Sequence, residues 1–140
     1  MMSLSFIAVP VLLEATKDAP QLLYAWVRVY HYGHLALPTL SVGTFLMYMY
    51  AAFRGNSKRR GVLAAAGLAT VAMVPFTWIF MVPTNDELFR LEAASSATGQ
   101  SLIGFEGVRD LIVAWSKLHV TRSLMPLMGA VLGASEIMAA

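Results

Sequence analysis

Two runs of uncharged residues, 35–53 and 61–83, separated by a short basic link, constrain this chain more than any other feature. Each is near or above the roughly 20 residues that a helix needs to cross about 30 Å of hydrocarbon. A third run, 123–140, is about as long, and its one charge, Glu136, falls near the end where an interface can hydrate it. The opening, 1–13, is apolar but reaches only roughly 20 Å as a helix, so it reads as a short, tilted or clipped first helix. It does not read as a signal peptide, having neither a basic segment before the apolar run nor a small-x-small cleavage site after it. Hydrophobic residues make up 58% of the chain against 13% charged, with mean hydropathy +0.65, more apolar surface than a water-soluble domain of this size can hide. The expected fold is therefore all-α: a transmembrane bundle of four helices forming a single domain over 1–140. Pro38, Pro75 and Pro126 fall inside the helical stretches, where each removes a backbone donor and is expected to kink or start a helix.

Other classes are excluded by what the chain lacks. With no cysteine there is no disulfide framework, thiolate zinc site or thiol nucleophile. A net charge of +2 and a pI near 9.2 do not indicate nucleic acid, because the basic residues are few and clustered. Arg54, Lys58, Arg59 and Arg60 crowd the link between the two clearest spans, and basic loops stay cytosolic. The basic loop 54–60 then faces the cytosol with both termini, and the connections 14–34 and 84–122 lie on the opposite side.

That topology gathers the reactive residues at one face of the bilayer. His31 and His34 precede the second span at i, i+3, and Asn85 and Asp86 come directly after the third. Trp115, His119 and Arg122 run i, i+4, i+7 into the fourth, so one helix face carries an indole, a titratable imidazole and a fixed cation in a row. Each feature has a structural reading beside the chemical one. Thr84 with Glu87 makes a capping box that starts a short amphipathic helix through Leu88 and Leu91. Tyr24, Trp26, Tyr30, Tyr32 and Trp115 sit where an interfacial aromatic belt is expected, and Lys117 and Arg122 can snorkel to headgroups. For His31 and His34 structure outweighs chemistry. His119 tilts the other way, because an ionisable group near an apolar interior is a functional candidate by default.

Several segments together resemble the anthrone oxygenase family of small membrane proteins. They are Pro83-Thr84-Asn85-Asp86, Trp115-x-x-x-His119-x-x-Arg122, and the Tyr30-His31-Tyr32-Gly33-His34 approach to a Leu-Pro-Thr span, within four apolar stretches that cover essentially the whole chain. Fungal members, which serve aromatic polyketide pathways, are the nearest in pattern; relatives usually carry a longer first hydrophobic stretch. The resemblance implies oxidation of an anthrone to an anthraquinone with O2 and without a cofactor. Its partners would be a small aromatic polyketide, O2 and the lipid bilayer, with a homo-oligomer left open.

Such a reaction needs a base, a holder for an anionic oxygen and a dry pocket. A neutral imidazole, titrating at about 6.5 when unperturbed, suits the first task, with His119 ahead of His34 and His31. Arg122 and the Asn85 amide suit the second, Trp115 can stack on a flat substrate, and Asp86 can orient a histidine. Three rivals stand beside this reading. One is a metal-dependent oxidase using His31, His34, His119 and Asp86 or Glu14. Another is a non-catalytic scaffold recruiting pathway enzymes through residues 85–94. The last is an oxygenase or isomerase acting on a different enolisable ring.

Overall fold

Long helices run well past the ends of the uncharged stretches, and that sets what the chain can position. The computed structural model describes residues 2–55 and 57–138, without the side chains of Ser57, Lys58 and Ile137. The Lys58 side chain of the basic link and the last two residues of the 123–140 stretch thus lie outside the described residues. In chain order the helices are α1 (Val9–Ala15), α2 (Ala19–Arg54), α3 (Ser57–Val71), α4 (Met73–Phe76), α5 (Val82–Thr98) and α6 (Phe105–Met138). Five-residue π turns stand before α1, at Leu4–Ala8, and before α5, at Thr77–Met81. The described residues contain no strand, so the expected all-α class holds.

Two helices are long and apolar enough to cross a membrane, Ala19–Arg54 and Arg59–Thr98; their most apolar windows are only 11% and 22% buried. A soluble core helix would show the reverse, with most of such a window packed inside. Here Leu46, Met47, Tyr50, Phe53, Trp78, Ile79 and Phe80 point outward, the distribution that lipid permits and water penalises. At 36 residues α2 is about 54 Å long, well beyond the hydrocarbon of a bilayer. Helix α6, which carries the 123–140 run, is not among the two that pass this test over the described residues.

The two expected connections, 14–34 and 84–122, are largely helical. Residues 19–34 are the first half of α2, and 84–98 and 105–122 belong to α5 and α6. Their helicity comes from a stripe of buried residues rather than from uniform apolarity: Ala19, Leu22, Leu23 and Trp26 in α2, Asn85, Leu88, Leu91 and Ser95 in α5, and Val108, Ile112, Trp115 and His119 in α6. The capping box is also corrected. Thr84 lies inside α5, whose start has no side-chain cap, and Glu87 instead makes a two-point ion pair with Arg90 at 2.7–2.8 Å. Pro38 and Pro126 sit within α2 and α6, and Pro75 within the short α4. Gly99, at φ 72°, ends α5 in the left-handed conformation, its N–H donating to Ser95 O.

The chain divides into two compact units, 1–34 with 77–120, and 35–76 with 121–140. In the second unit, small residues let backbones approach. A Cβ on Gly129 would collide with Thr70 Oγ1 and lie 2.6 Å from the Ala66 carbonyl, and one on Gly133 would collide with the Tyr48 hydroxyl. These glycines are four apart, the small-xxx-small spacing of closely packed membrane helices. Hydrogen bonds accompany the contact: Tyr48 Oη donates to Gly129 O at 3.1 Å, and Ser41 Oγ to Thr70 O at 2.8 Å. Gly129→Ala should therefore cost about 1–3 kcal/mol, as overpacked cores do. Gly43→Ala, inside α2 where a Cβ meets nothing within 4 Å, should instead hold stability or raise it by up to about 1 kcal/mol through helix propensity, and unfolding of the purified variants in mixed micelles measures both.

Candidate active site

In the first unit the inner stripes of α2, α5 and α6 bring two indoles, an imidazole and an amide together. Trp115 Nε1 donates to Asn85 Oδ1 at 2.9 Å, a buried hydrogen bond joining α6 to α5. One turn further along α6, the His119 ring lies 5.0 Å from the Trp115 ring, tilted by 36°. Trp26 of α2 meets Trp115 edge to face, with centroids 5.7 Å apart and planes at 88°, and meets Phe89 of α5 the same way at 5.2 Å. Tyr30 extends the cluster, 4.9 Å from Phe89 and 5.4 Å from Trp26. His119 is 1% exposed and Trp26 is 0% exposed.

The imidazole is held through the π turn before α1. Ser5 Oγ lies 3.2 Å from His119 Nδ1 and donates to Ser116 O at 3.3 Å. A hydroxyl has one proton. If Ser5 gave it to Nδ1, its oxygen would face the Ser116 carbonyl oxygen with no hydrogen between them. Both contacts become hydrogen bonds only when Nδ1 carries the imidazole proton and donates to Ser5, which leaves the basic lone pair on Nε2. A π turn has one more residue per turn than an α turn, and a single added residue rotates the helix face beyond it by about 100°. In this turn Ser5 is buried while Phe6 and Ile7 are exposed.

The other expected residues are placed differently. His31 and His34 are on an exposed face of α2, where His34 Nδ1 bonds to His31 O at 2.8 Å and the His34 ring stacks on Tyr30 at 5.4 Å and 9°. Asp86 is exposed on α5, next to Asn85 in sequence but on another face, because successive helical residues turn by about 100°. Neither His31, His34 nor Asp86 joins His119. Arg122 is buried on the same helix as His119 but belongs to the second unit. The set needed by a metal-dependent oxidase is not assembled: no three His, Asp or Glu side chains among the described residues could hold one ion. A cavity of 640 Å³ lies in the second unit, with Tyr48, Leu63, Gly133 and the Arg59–Glu136 pair, 3.9 Å apart, among its lining, and it includes none of the expected site residues.

Sequence reasoning missed two members of the cluster. Trp26, read as a belt residue with Tyr24 and Tyr32, is corrected to a core residue, whereas Tyr24 and Tyr32 are exposed. Its place was written in the spacing of Ala19, Leu22, Leu23 and Trp26, one helix face. Ser5 offered only the fact of a hydroxyl inside an otherwise apolar opening. Trp26 Nε1 has no acceptor within hydrogen-bonding distance among the described residues. Holding such a donor away from water costs about 1–3 kcal/mol.

Ser5→Ala should release the tautomer. In protein carrying 15N-labelled histidine, His119 Nδ1 is expected to show the shift of a protonated ring nitrogen, and the variant a mixture of both forms. An unchanged spectrum would sever the link between Ser5 and the imidazole tautomer. Asn85→Leu strands the Trp115 N–H and should cost about 1–3 kcal/mol of stability, read by thermal unfolding.

The family model described as anthrone oxygenase matches residues 26–132. A protein named anthrone oxygenase AgnL2, from Paecilomyces divaricatus, is 54% identical over 95% of this chain and 83% of its own length. Anthrone oxygenase dmxR16 from a Cryptosporiopsis species is 45% identical over 99% of this chain and 78% of its own. Monooxygenase hypC from Dothistroma septosporum is 39% identical over 95% and 72%. No solved structure matches the chain.

Proposed function

This chain belongs to the anthrone oxygenase family, and from that premise we propose that it converts an anthrone to the anthraquinone with O2 in aromatic polyketide biosynthesis, by proton abstraction and without a cofactor. One observation carries the mechanism: His119 is buried against the Trp115 ring with Nδ1 tied to Ser5, an arrangement that presents Nε2 as a base.

Nε2 takes a proton from the CH2 that two aromatic rings flank. The electron pair left behind spreads to the carbonyl oxygen opposite, giving an aromatic anthranolate. This anion hands one electron to O2, the resulting radical and superoxide combine at the former CH2 carbon, and the adduct takes a proton to become a hydroperoxide. Removal of the remaining hydrogen on that carbon breaks the O–O bond and expels hydroxide, which gains a proton to leave as water. The balance is one anthrone and one O2 to one anthraquinone and one water, with the substrate as its own reductant. The protein supplies a base, a dry site and donors toward the oxygen. Asn85, whose Oδ1 is occupied by Trp115, offers its NH2 for that purpose.

Because His119 is 1% exposed, substrate reaches it only when side chains packed around it part. A flat three-ring molecule can replace the ring contacts it displaces. The long apolar helices favour a membrane location, with the basic link 54–60 on the cytosolic side, where a lipid-soluble substrate and O2 both concentrate.

Membranes holding the protein should raise quinone absorbance from an anthrone above the spontaneous rate. His119→Ala should lower kcat by about 100-fold or more, the usual contribution of a positioned general base. A scaffold would instead tolerate His119→Ala, and stoichiometric iron or copper with activity lost on chelation would restore the metal-dependent reading.

A further inference from the structure

We propose that Trp26 is a second oxygen-binding residue of this site, its indole N–H donating to the substrate oxygen that becomes anionic. The proposal rests on the anthrone oxygenase reading and adds to it a residue and a hydrogen bond.

Three observations support it. The first is a buried donor with an open valence. Trp26 Nε1 is fully enclosed, yet no acceptor lies within hydrogen-bonding distance among the described residues. Buried Trp N–H groups ordinarily find a partner, and the neighbouring indole shows the ordinary case, with Trp115 Nε1 bonded to Asn85 Oδ1 at 2.9 Å. The two side chains touch edge to face and share one apolar surrounding, but only one is satisfied. An unsatisfied donor on the indole that also carries the His119 contact calls for an acceptor that arrives with the substrate.

The second is position. Trp26 and His119 both border the Trp115 indole, at 5.7 and 5.0 Å between ring centroids. Both side chains therefore pack on one and the same indole. An anthrone sets its CH2 and its carbonyl oxygen on opposite sides of its central ring, so a molecule lying against Trp115 can present carbon to one group and oxygen to the other.

The third is the direction of charge flow. Proton loss at carbon moves negative charge onto the oxygen, so a fixed N–H at that oxygen binds the anion more strongly than the neutral ketone. The indole N–H keeps its proton throughout and supplies none to the product.

The test uses the full chain in detergent micelles with indole-15N tryptophan, under argon so that bound anthrone cannot turn over. Of the three tryptophan N–H cross-peaks, the one absent in Trp26→Phe should move downfield on addition of anthrone. It should move less on addition of 9,10-dihydroanthracene, which has the same three rings and no oxygen and so acts through ring current alone. In air, Trp26→Phe should lose about tenfold in kcat/KM, the rate equivalent of one modest hydrogen bond to a developing charge. Should Trp26→Phe not fold, replacing Trp26 by 3-benzothienylalanine, which puts sulfur in place of N–H, keeps the shape and should show the same loss. Equal shifts with both ligands, no shift, or full activity in the sulfur isostere would each overturn the role given to Trp26. Wild-type protein that fails to accelerate anthrone oxidation at all would instead remove the enzymatic reading beneath it.

Discussion

In an apolar medium a polar group must find its partner inside the protein, and the first unit is arranged around one such pairing. The Trp115–Asn85 hydrogen bond lies deep between α6 and α5, where losing either member would strand the other. It fixes the register of the two helices at one level. Everything else in the cluster is measured from that level: His119 sits one turn along α6 from Trp115, Leu88 one turn along α5 from Asn85, and Trp26 packs its edge on the same indole. Apolar stripes alone tolerate sliding, because one methyl group packs nearly as well as the next. A directional bond between two buried side chains does not slide, and a base must be placed to within a fraction of an ångström to act.

The two π turns belong to the same logic. Each adds a residue within a turn and so rotates the helix beyond it by about 100°. At Thr77–Met81 the outward run of Trp78, Ile79 and Phe80 passes directly to the buried Met81, and four residues later Asn85 faces the core. At Leu4–Ala8 the turn carries the buried Ser5 that holds His119. Both irregular turns fall in the unit that holds the imidazole and not in the unit held by small-residue contacts, where Gly129 and Gly133 give close approach through regular helix.

The sequence disclosed the apolar core of the fold more readily than its ends. Uniform apolarity marks 35–53 and 61–83 whichever way they face, so hydropathy finds them. The continuing helices at 19–34, 84–98 and 105–122 mix charged and apolar residues, and only their 3.6-residue stripe betrays them. The same blindness sent Trp26 to the membrane interface. An aromatic beside a span is a belt residue if the helix has ended, and a core residue if the helix continues with its stripe turned inward. For the site, Trp115, His119 and Asn85 were legible because their spacing puts them on single faces. His31, His34 and Asp86 were legible as reactive residues but not as exposed ones, since one sequence does not state which face of an isolated segment finds a neighbour. Ser5 was out of reach for a plainer reason: its partners lie more than 100 residues away along the chain, and nothing local records a contact of that kind.

The rings gathered around Trp115 suit the chemistry proposed for His119. An oxidation in which substrate provides all the electrons requires no redox group from the protein. It requires that a carbanion meet O2 before it meets water. Rings serve this better than aliphatic side chains. Trp26 meets Trp115 and Phe89 edge to face, Phe89 meets Tyr30 the same way, and Tyr30 lies tilted against Trp26, so the cluster closes on itself without a lid built for the purpose. In the proposed reaction a planar substrate entering there would replace each ring contact given up by a similar one, so opening would not leave apolar surface exposed. Polar residues lining an open cleft would hold water at the base in the resting state and would have to shed it at each turnover. A cluster of rings avoids that water, and it leaves one buried indole donor, Trp26 Nε1, without an acceptor among the described residues.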